Sequence, residues 1–196
     1  MSASDPRSIA RPAPPAPAAA GARAPGATSI SVLAEIWDLL GGIPDPEIPV
    51  ISIVELGIVR EVTFDGPTLV VSVTPTYSGC PATEVIARDI ADTLRQAGYS
   101  DHRIRTQLAP AWTTDWIEPA ALERLRVYGI APPGERVATQ RVDVSGLRRR
   151  APQRAIACPR CGSLRTHELS PFGSTPCKAQ HRCDDCLEPF DYFKPF

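Results

Sequence analysis

Apolar residues recur at helical spacing in some stretches of this chain and alternate with polar ones in others. Leu33, Ile36, Trp37 and Leu40 share one helical face and Gly41-Gly42 supplies a stop, so a first helix is expected from Ser31 onward. GIVREVTF and TLVVSVT read as strands joined around the turn Asp65-Gly66-Pro67, a hairpin. Ile86, Ile90 and Leu94 lie four apart and predict a second helix that opens at or beside Cys80 and closes at Gly98. HRIRTQLAPAW sets Ile104, Thr106 and Leu108 against Arg103, Arg105 and Gln107, the pattern of a strand with one wet face. A short helix follows between Pro119 and Gly129. Helix, strand, strand, helix, strand, helix predicts an α+β domain with helices packed on a small sheet.

Composition sets the borders. Of 196 residues 22 are proline, about twice the average usage of roughly 5%, and they cluster where apolar bulk is scarce. Residues 1–28, rich in Ala and Pro, are expected to be disordered. Residues 29–130 form the main domain, 131–157 an arginine-rich linker with RVATQRVDV as a candidate strand, and 158–196 a cysteine module. The formal net charge of −1 conceals an uneven spread: 14 acids against 7 arginines in 29–130, and 6 arginines against 2 acids in 131–157. That balance excludes a uniformly basic nucleic-acid binder, and the acidic main domain argues against specific nucleic-acid binding through the linker. No apolar run approaches the ~20 residues that span a bilayer, and prolines interrupt the N-terminal stretch where a signal peptide would need its apolar core. A cytoplasmic protein without a membrane partner is the expectation.

In a reducing compartment the six cysteines are expected to be thiols or metal ligands rather than disulfides. CPRCGS supplies Cys158 and Cys161, and CDDC supplies Cys183 and Cys186. Each C-x-x-C loop turns two thiolates toward one point, and two loops close a tetrahedron around zinc. The expectation is a zinc ribbon with a structural metal, because four protein ligands leave no open coordination position. Iron, as a cluster or a rubredoxin-like ion, is the competing occupant. A module of about 39 residues is too short for a stable core of its own, so the metal should supply much of its folding free energy. His167 and His181 are alternative ligands, and the aromatic tail PFDYFKPF is expected to pack over the metal or against the main domain. Cys177 is left over, either a stray thiol or a residue of docking or cluster contact.

Two further motifs carry chemistry. Cys80-Pro81 stands where a strand hands over to a helix, which places the cysteine near the N-cap, where free amides and the helix dipole would lower its pKa. A buried small hydrophobe is the alternative reading. Asp45-Pro46-Glu47 is an ordinary turn sequence on its own terms. No histidine stands near Cys80 in the sequence to make a nucleophile and base pair, and His102 reads as a surface residue.

DPEIPVISIVELGIVREV and VTPTYSGCPATEVI together resemble the DUF59 or MIP18-like family, small α+β proteins linked to iron–sulfur cluster assembly. The resemblance spans about residues 31–130; its DPE motif falls on Asp45, Pro46 and Glu47, and its T-x-x-x-C-P pattern on Thr76, Cys80 and Pro81. It implies that Cys80 handles iron or a transient iron–sulfur cluster, with Asp45, Glu47 and Thr76 shaping the site. With CPRCGS, FGSTPCKA and CDDCLEPFDYFKPF added, the chain resembles the PaaD or PaaJ type, accessory subunits of phenylacetyl-CoA epoxidase systems. Pro176 departs from that pattern, which favours a small residue. The resemblance implies an oxygenase subunit with a di-iron centre and a flavin- and iron–sulfur-carrying reductase as partners, together with iron–sulfur assembly proteins. This chain has neither an E-x-x-H pair nor a G-x-G-x-x-G loop, so its expected role is non-catalytic, as a maturation factor or a structural subunit.

Overall fold

A computed structural model describes residues 27–134 and 155–196. The expectations for residues 1–26, for the candidate strand RVATQRVDV and for the arginines of the linker at 135–154 lie outside the described residues. Helix α1 spans Ala27–Gly41 and so begins inside the stretch expected to be disordered. Ile36 and Leu40 are fully buried on its inner face, with Leu33 and Trp37 packed beside them.

Strands β1 (Val59–Asp65) and β2 (Thr68–Val73) form the expected antiparallel hairpin, with Gly66 at φ 62 in its turn. Helix α2 (Ala82–Gln96) carries the chain back so that β3 (His102–Thr106) pairs parallel to β2, giving the order β1-β2-β3. Ile86, Ile90 and Leu94 project from α2 into the core beneath this sheet, each contributing about 1.5–3 kcal/mol of burial. The third strand ends earlier than its alternation suggests: Leu108 lies beyond Thr106 and is 59% exposed, and Ile104 is only partly buried. As an edge strand β3 has one neighbour, and its pairing with β2 ends at Thr106. His102, read as a surface residue, is half-buried with Nδ1 2.8 Å from the Tyr99 carbonyl.

The DPE segment folds as a tight loop closed by pairing of Pro44 with Ser52. Ile48, Ile51 and Ile53 turn inward from it and are nearly inaccessible. After the loop Gly57, at φ 74, lies against Trp116, where a Cβ would stand 2.7 Å from the Trp116 Cβ; Arg60 covers the same indole at 3.4 Å. Helix α3 (Pro119–Tyr128) starts with proline and ends on Gly129 at φ 104, as expected. Its Arg124 donates to the Val50 carbonyl at 3.1 Å and pairs with Glu55, which fixes the DPE loop against α3.

One feature of the architecture is non-local. Directly after α3, the two-residue strand β4 (Ile130–Ala131) joins the sheet of the C-terminal module. That sheet contains β5 (Thr166–Ser170), β6 (Lys178–Cys183) and β7 (Pro189–Phe193) in the order β4-β7-β6-β5. The tail packs in both expected directions: Phe190 lies with Cys158 and Cys183, while Phe193 is fully buried in the main core. The rings of Phe193 and Phe196 each lie 6.0 Å from Trp112. Trp112 in turn donates to the Leu56 carbonyl at 3.0 Å. A shared strand and a shared aromatic cluster therefore weld the two modules together.

Candidate functional site

The four thiols of the C-x-x-C pairs converge as their spacing predicts. Cys158, Cys161, Cys183 and Cys186 bring their sulfurs within 4.8 Å of one another. Cys158 Sγ lies 3.8 Å from Cys186 and Cys161 Sγ 3.5 Å from Cys183, against about 3.8 Å between thiolates on a tetrahedral ion at 2.3 Å. The donor set and its spacing fit a bound metal. Each knuckle is a tight turn: the Gly162 amide donates to the Cys158 carbonyl at 2.9 Å, and the Cys183 amide to the Glu188 carbonyl at 3.1 Å. The residue after each second cysteine has positive φ, 76° at Gly162 and 64° at Leu187. The Cys186 amide and then hydrogen bonds from the other thiols hold Cys183 below the usual thiol range.

Neither histidine of the module joins the four thiols. His167 pairs with Asp184 at 2.8 Å on the surface. His181 is buried between Phe190 and Tyr192, with both ring nitrogens unpartnered and its basicity lowered by burial.

A second cluster forms at the seam. Asp45 is 4% exposed and turned inward, its Oδ1 accepting from the Glu47 amide at 3.0 Å and the Ile48 amide at 2.9 Å. The carboxylate thereby caps its own loop, and its pKa is raised by burial. Glu47, half-buried, points the other way, toward the C-terminal module. Its Oε2 lies 3.8 Å from Cys177 Sγ, a residue buried in the main core although it precedes β6. Cys80 is half-buried next to this group, with the Thr76 and Thr83 hydroxyls against its thiol.

The thiolate expected at Cys80 is not what the structure favours. The N-cap position belongs to Pro81 (φ −68°, ψ −23°) and α2 begins at Ala82, so Cys80 stands outside the first turn, where the dipole fades. Burial raises its pKa, Glu47 adds to the rise, and the Ala82 amide with the two threonines offsets it only in part. Burial likewise pushes Cys177 up to about 11, and Tyr77 up to about 12 with help from Cys80, Glu47 and Cys177. Tyr77 is a member of this cluster that sequence reasoning passed over, although it lies inside the T-x-x-x-C-P motif. Lys178 is another: it is nearly inaccessible, pairs with Asp191 at 3.5 Å, and lines a cleft of about 400 Å³ with Glu47, Ile130 and Ser174. No sequence signal marks Lys178.

Together these features define an α+β domain of the DUF59 type joined to a metal-binding zinc ribbon. Residues 33–102 match the family described as iron–sulfur cluster assembly protein, and residues 143–194 match the PaaD zinc beta ribbon domain. The chain is 51% identical over 160 residues to the Escherichia coli (strain K12) protein named as the D-type subunit of 1,2-phenylacetyl-CoA epoxidase, covering 82% of this chain and 91% of that one. It belongs to that family of epoxidase D components. Among solved structures, a DUF59 domain from Bacillus anthracis is 25% identical, with a TM-score of 0.44 over 47% of this chain and 89% of its own. A conserved hypothetical protein from Thermotoga maritima is 21% identical, with a TM-score of 0.41 over 47% and 91%. Among the described residues no helix is long and apolar enough to cross a membrane.

Proposed function

We propose that this chain is a non-catalytic, cytoplasmic component of a phenylacetyl-CoA epoxidase system that carries iron, as an ion or a cluster, to the metal centres of its oxygenase or reductase partner. Iron–sulfur assembly proteins are its suppliers. The observation that carries this reading is the position of Cys80: half-buried inside the segment matching the iron–sulfur assembly family, with Glu47 acting on its thiol. Cys80 is the residue that holds the cargo. Glu47 contributes a carboxylate beside it, Thr76 a hydroxyl against the thiol, and Asp45 fixes the loop that presents Glu47. The ribbon holds one zinc with a structural role, since four thiolates leave no site for exchange.

The test is phenylacetate-dependent growth together with the iron content of the oxygenase subunit. In strains carrying Cys80→Ala at wild-type protein level, both should fall sharply while the ribbon keeps its zinc. Normal growth with a fully loaded oxygenase would leave a structural subunit as the better description, a reading that stoichiometric copurification with the oxygenase would strengthen.

A further inference from the structure

A cleft of about 400 Å³ opens between the main domain and the ribbon. Glu47 and the end of α3 at Tyr128 and Gly129 form its main-domain wall, and Ser174, Lys178, Gln180 and Asp191 form its ribbon wall. Most of the charge around it is already matched. Lys178 is 3% exposed with its Nζ 3.5 Å from Asp191 Oδ2, and the same carboxylate accepts from Ser174 Oγ at 2.9 Å. Arg160 of the first knuckle lies against Gly129, where a Cβ would stand 3.1 Å from its Nη2, so its charge answers the carbonyl end of α3. Glu47 is the exception. Its carboxylate is half-buried, and among the described residues it makes no ion pair and meets one side-chain donor, the weak thiol of Cys177 at 3.8 Å. A carboxylate withdrawn from water costs free energy unless donors or a cation replace the lost hydration, and the open space beside this one is the cleft.

We propose that the cleft is a docking socket for one arginine side chain of the oxygenase or reductase subunit, with Glu47 as its counter-ion. This rests on the reading that the chain serves one of those subunits, and it is independent of which residue holds the cargo.

The lining selects the occupant. A guanidinium offers a carboxylate two parallel donors and lays its plane on an aromatic ring; Glu47 supplies the carboxylate, and Tyr128 supplies a ring in the same wall. The side-chain oxygens of Gln180 and Ser174 on the opposite wall are acceptors for the remaining N–H groups. An acidic side chain would meet both Glu47 and Asp191. The lips carry exposed aromatic residues: Tyr128 is 51% exposed, and Phe172, 62% exposed, belongs to the turn that brings Ser174 to the cleft. Lys194 is held at that turn, its ammonium 4.8 Å over the Phe172 ring and donating to the Pro171 carbonyl at 3.1 Å. Aromatic residues around a polar centre are the composition of a protein interface. In this arrangement the DPE loop is a recognition element, in which Asp45 accepts from the Glu47 and Ile48 amides and so fixes the carboxylate that faces the partner.

The test is calorimetric binding of the full-length, zinc-loaded, iron-free chain to the purified cognate oxygenase and reductase subunits. The expected result is binding to one of them, weakened about tenfold or more by Glu47→Gln, about 100-fold or more by Glu47→Arg and about fivefold by Tyr128→Ala, with zinc content and denaturation midpoint unchanged. N-acetyl-arginine amide should compete at millimolar concentration, and its neutral isostere N-acetyl-citrulline amide should not. Wild-type affinity in both Glu47 variants overturns the socket, as does equal competition, or none, by the two amides. If Glu47→Arg does not fold, Glu47→Gln and Tyr128→Ala decide, and wild-type affinity in both overturns it. Failure of the wild-type chain to bind either subunit overturns the socket and the partner assignment together. Iron delivery does not enter this measurement, so a normally loaded oxygenase in the Cys80→Ala strain would sink the cargo reading alone.

Discussion

The two thiol clusters of this protein are assembled in opposite ways. In the ribbon, each pair of ligands is three residues apart and each knuckle closes through its own backbone, so Cys158 and Cys161 are gathered before any tertiary contact forms. At the seam, Glu47, Cys80 and Cys177 come from three distant segments, and nothing local holds them near one another. The ribbon ligands are thus gathered by local chain, whereas the seam group is a product of the completed core. The first should resist changes in packing and fail with its metal, and the second should fail with either.

The largest effect should come from Cys183→Ser. Structural zinc supplies about 10–16 kcal/mol in isolated fingers, so loss of this ligand should lower metal content and release residues 158–193 to rapid hydrogen exchange. It should also withdraw Phe193 from Trp112 and so remove Cys177 from Glu47, extending the damage to the seam. Full zinc retention with wild-type exchange would remove the four-thiolate assignment.

Phe193→Ala separates the clusters from the other side. The ring is fully buried, and its loss should cost about 3–5 kcal/mol, read as a lowered denaturation midpoint. Zinc should stay bound, because Phe193 is not among the residues packed on the cysteines. Concerted loss of zinc and fold would show that the ribbon is less autonomous than its knuckles indicate.

Reactivity gives a contrast of sign. A raised thiol pKa means that the protonated, unreactive form persists at neutral pH. Cys177 should therefore alkylate slowly at pH 7, by roughly 100-fold or more against an ordinary thiol. Its rate should climb about tenfold per pH unit until pH approaches its pKa of about 11. Cys80, also raised and half-buried, should respond in the same direction. Fast alkylation of Cys80 at pH 7 would restore the helix-dipole reading.

Asp45→Ala removes two amide contacts from the DPE loop and should cost about 1–2 kcal/mol, with a milder loss of epoxidase activation than Cys80→Ala. The smallest effects belong to the knuckles. Gly162→Ala forces a side chain into positive φ and should destabilise by about 1 kcal/mol. Leu187→Gly should relieve the same strain at a residue already 60% exposed, raising ribbon stability by up to about 1 kcal/mol. Matched thermal melts of the two variants check the opposed signs.

Much of what short spacing governs was legible in the chain. The period of Ile86, Ile90 and Leu94 defined a helical face, the alternation around Asp65-Gly66 defined a hairpin, and the paired C-x-x-C loops defined a metal site, because each signal lies within one or two turns of chain. Asp45 and Glu47 were visible as a motif, but not that one caps its loop while the other faces a cysteine 130 residues away. It took the folded molecule to pair β4 with β7, to end β3 before Leu108 and leave that side chain exposed, and to let burial override the helix end at Cys80. The same packing carried Cys177 into the main core. Strand pairing across the modules and the dielectric around a thiol depend on what surrounds a residue in space, and neighbours in space leave no period in the chain.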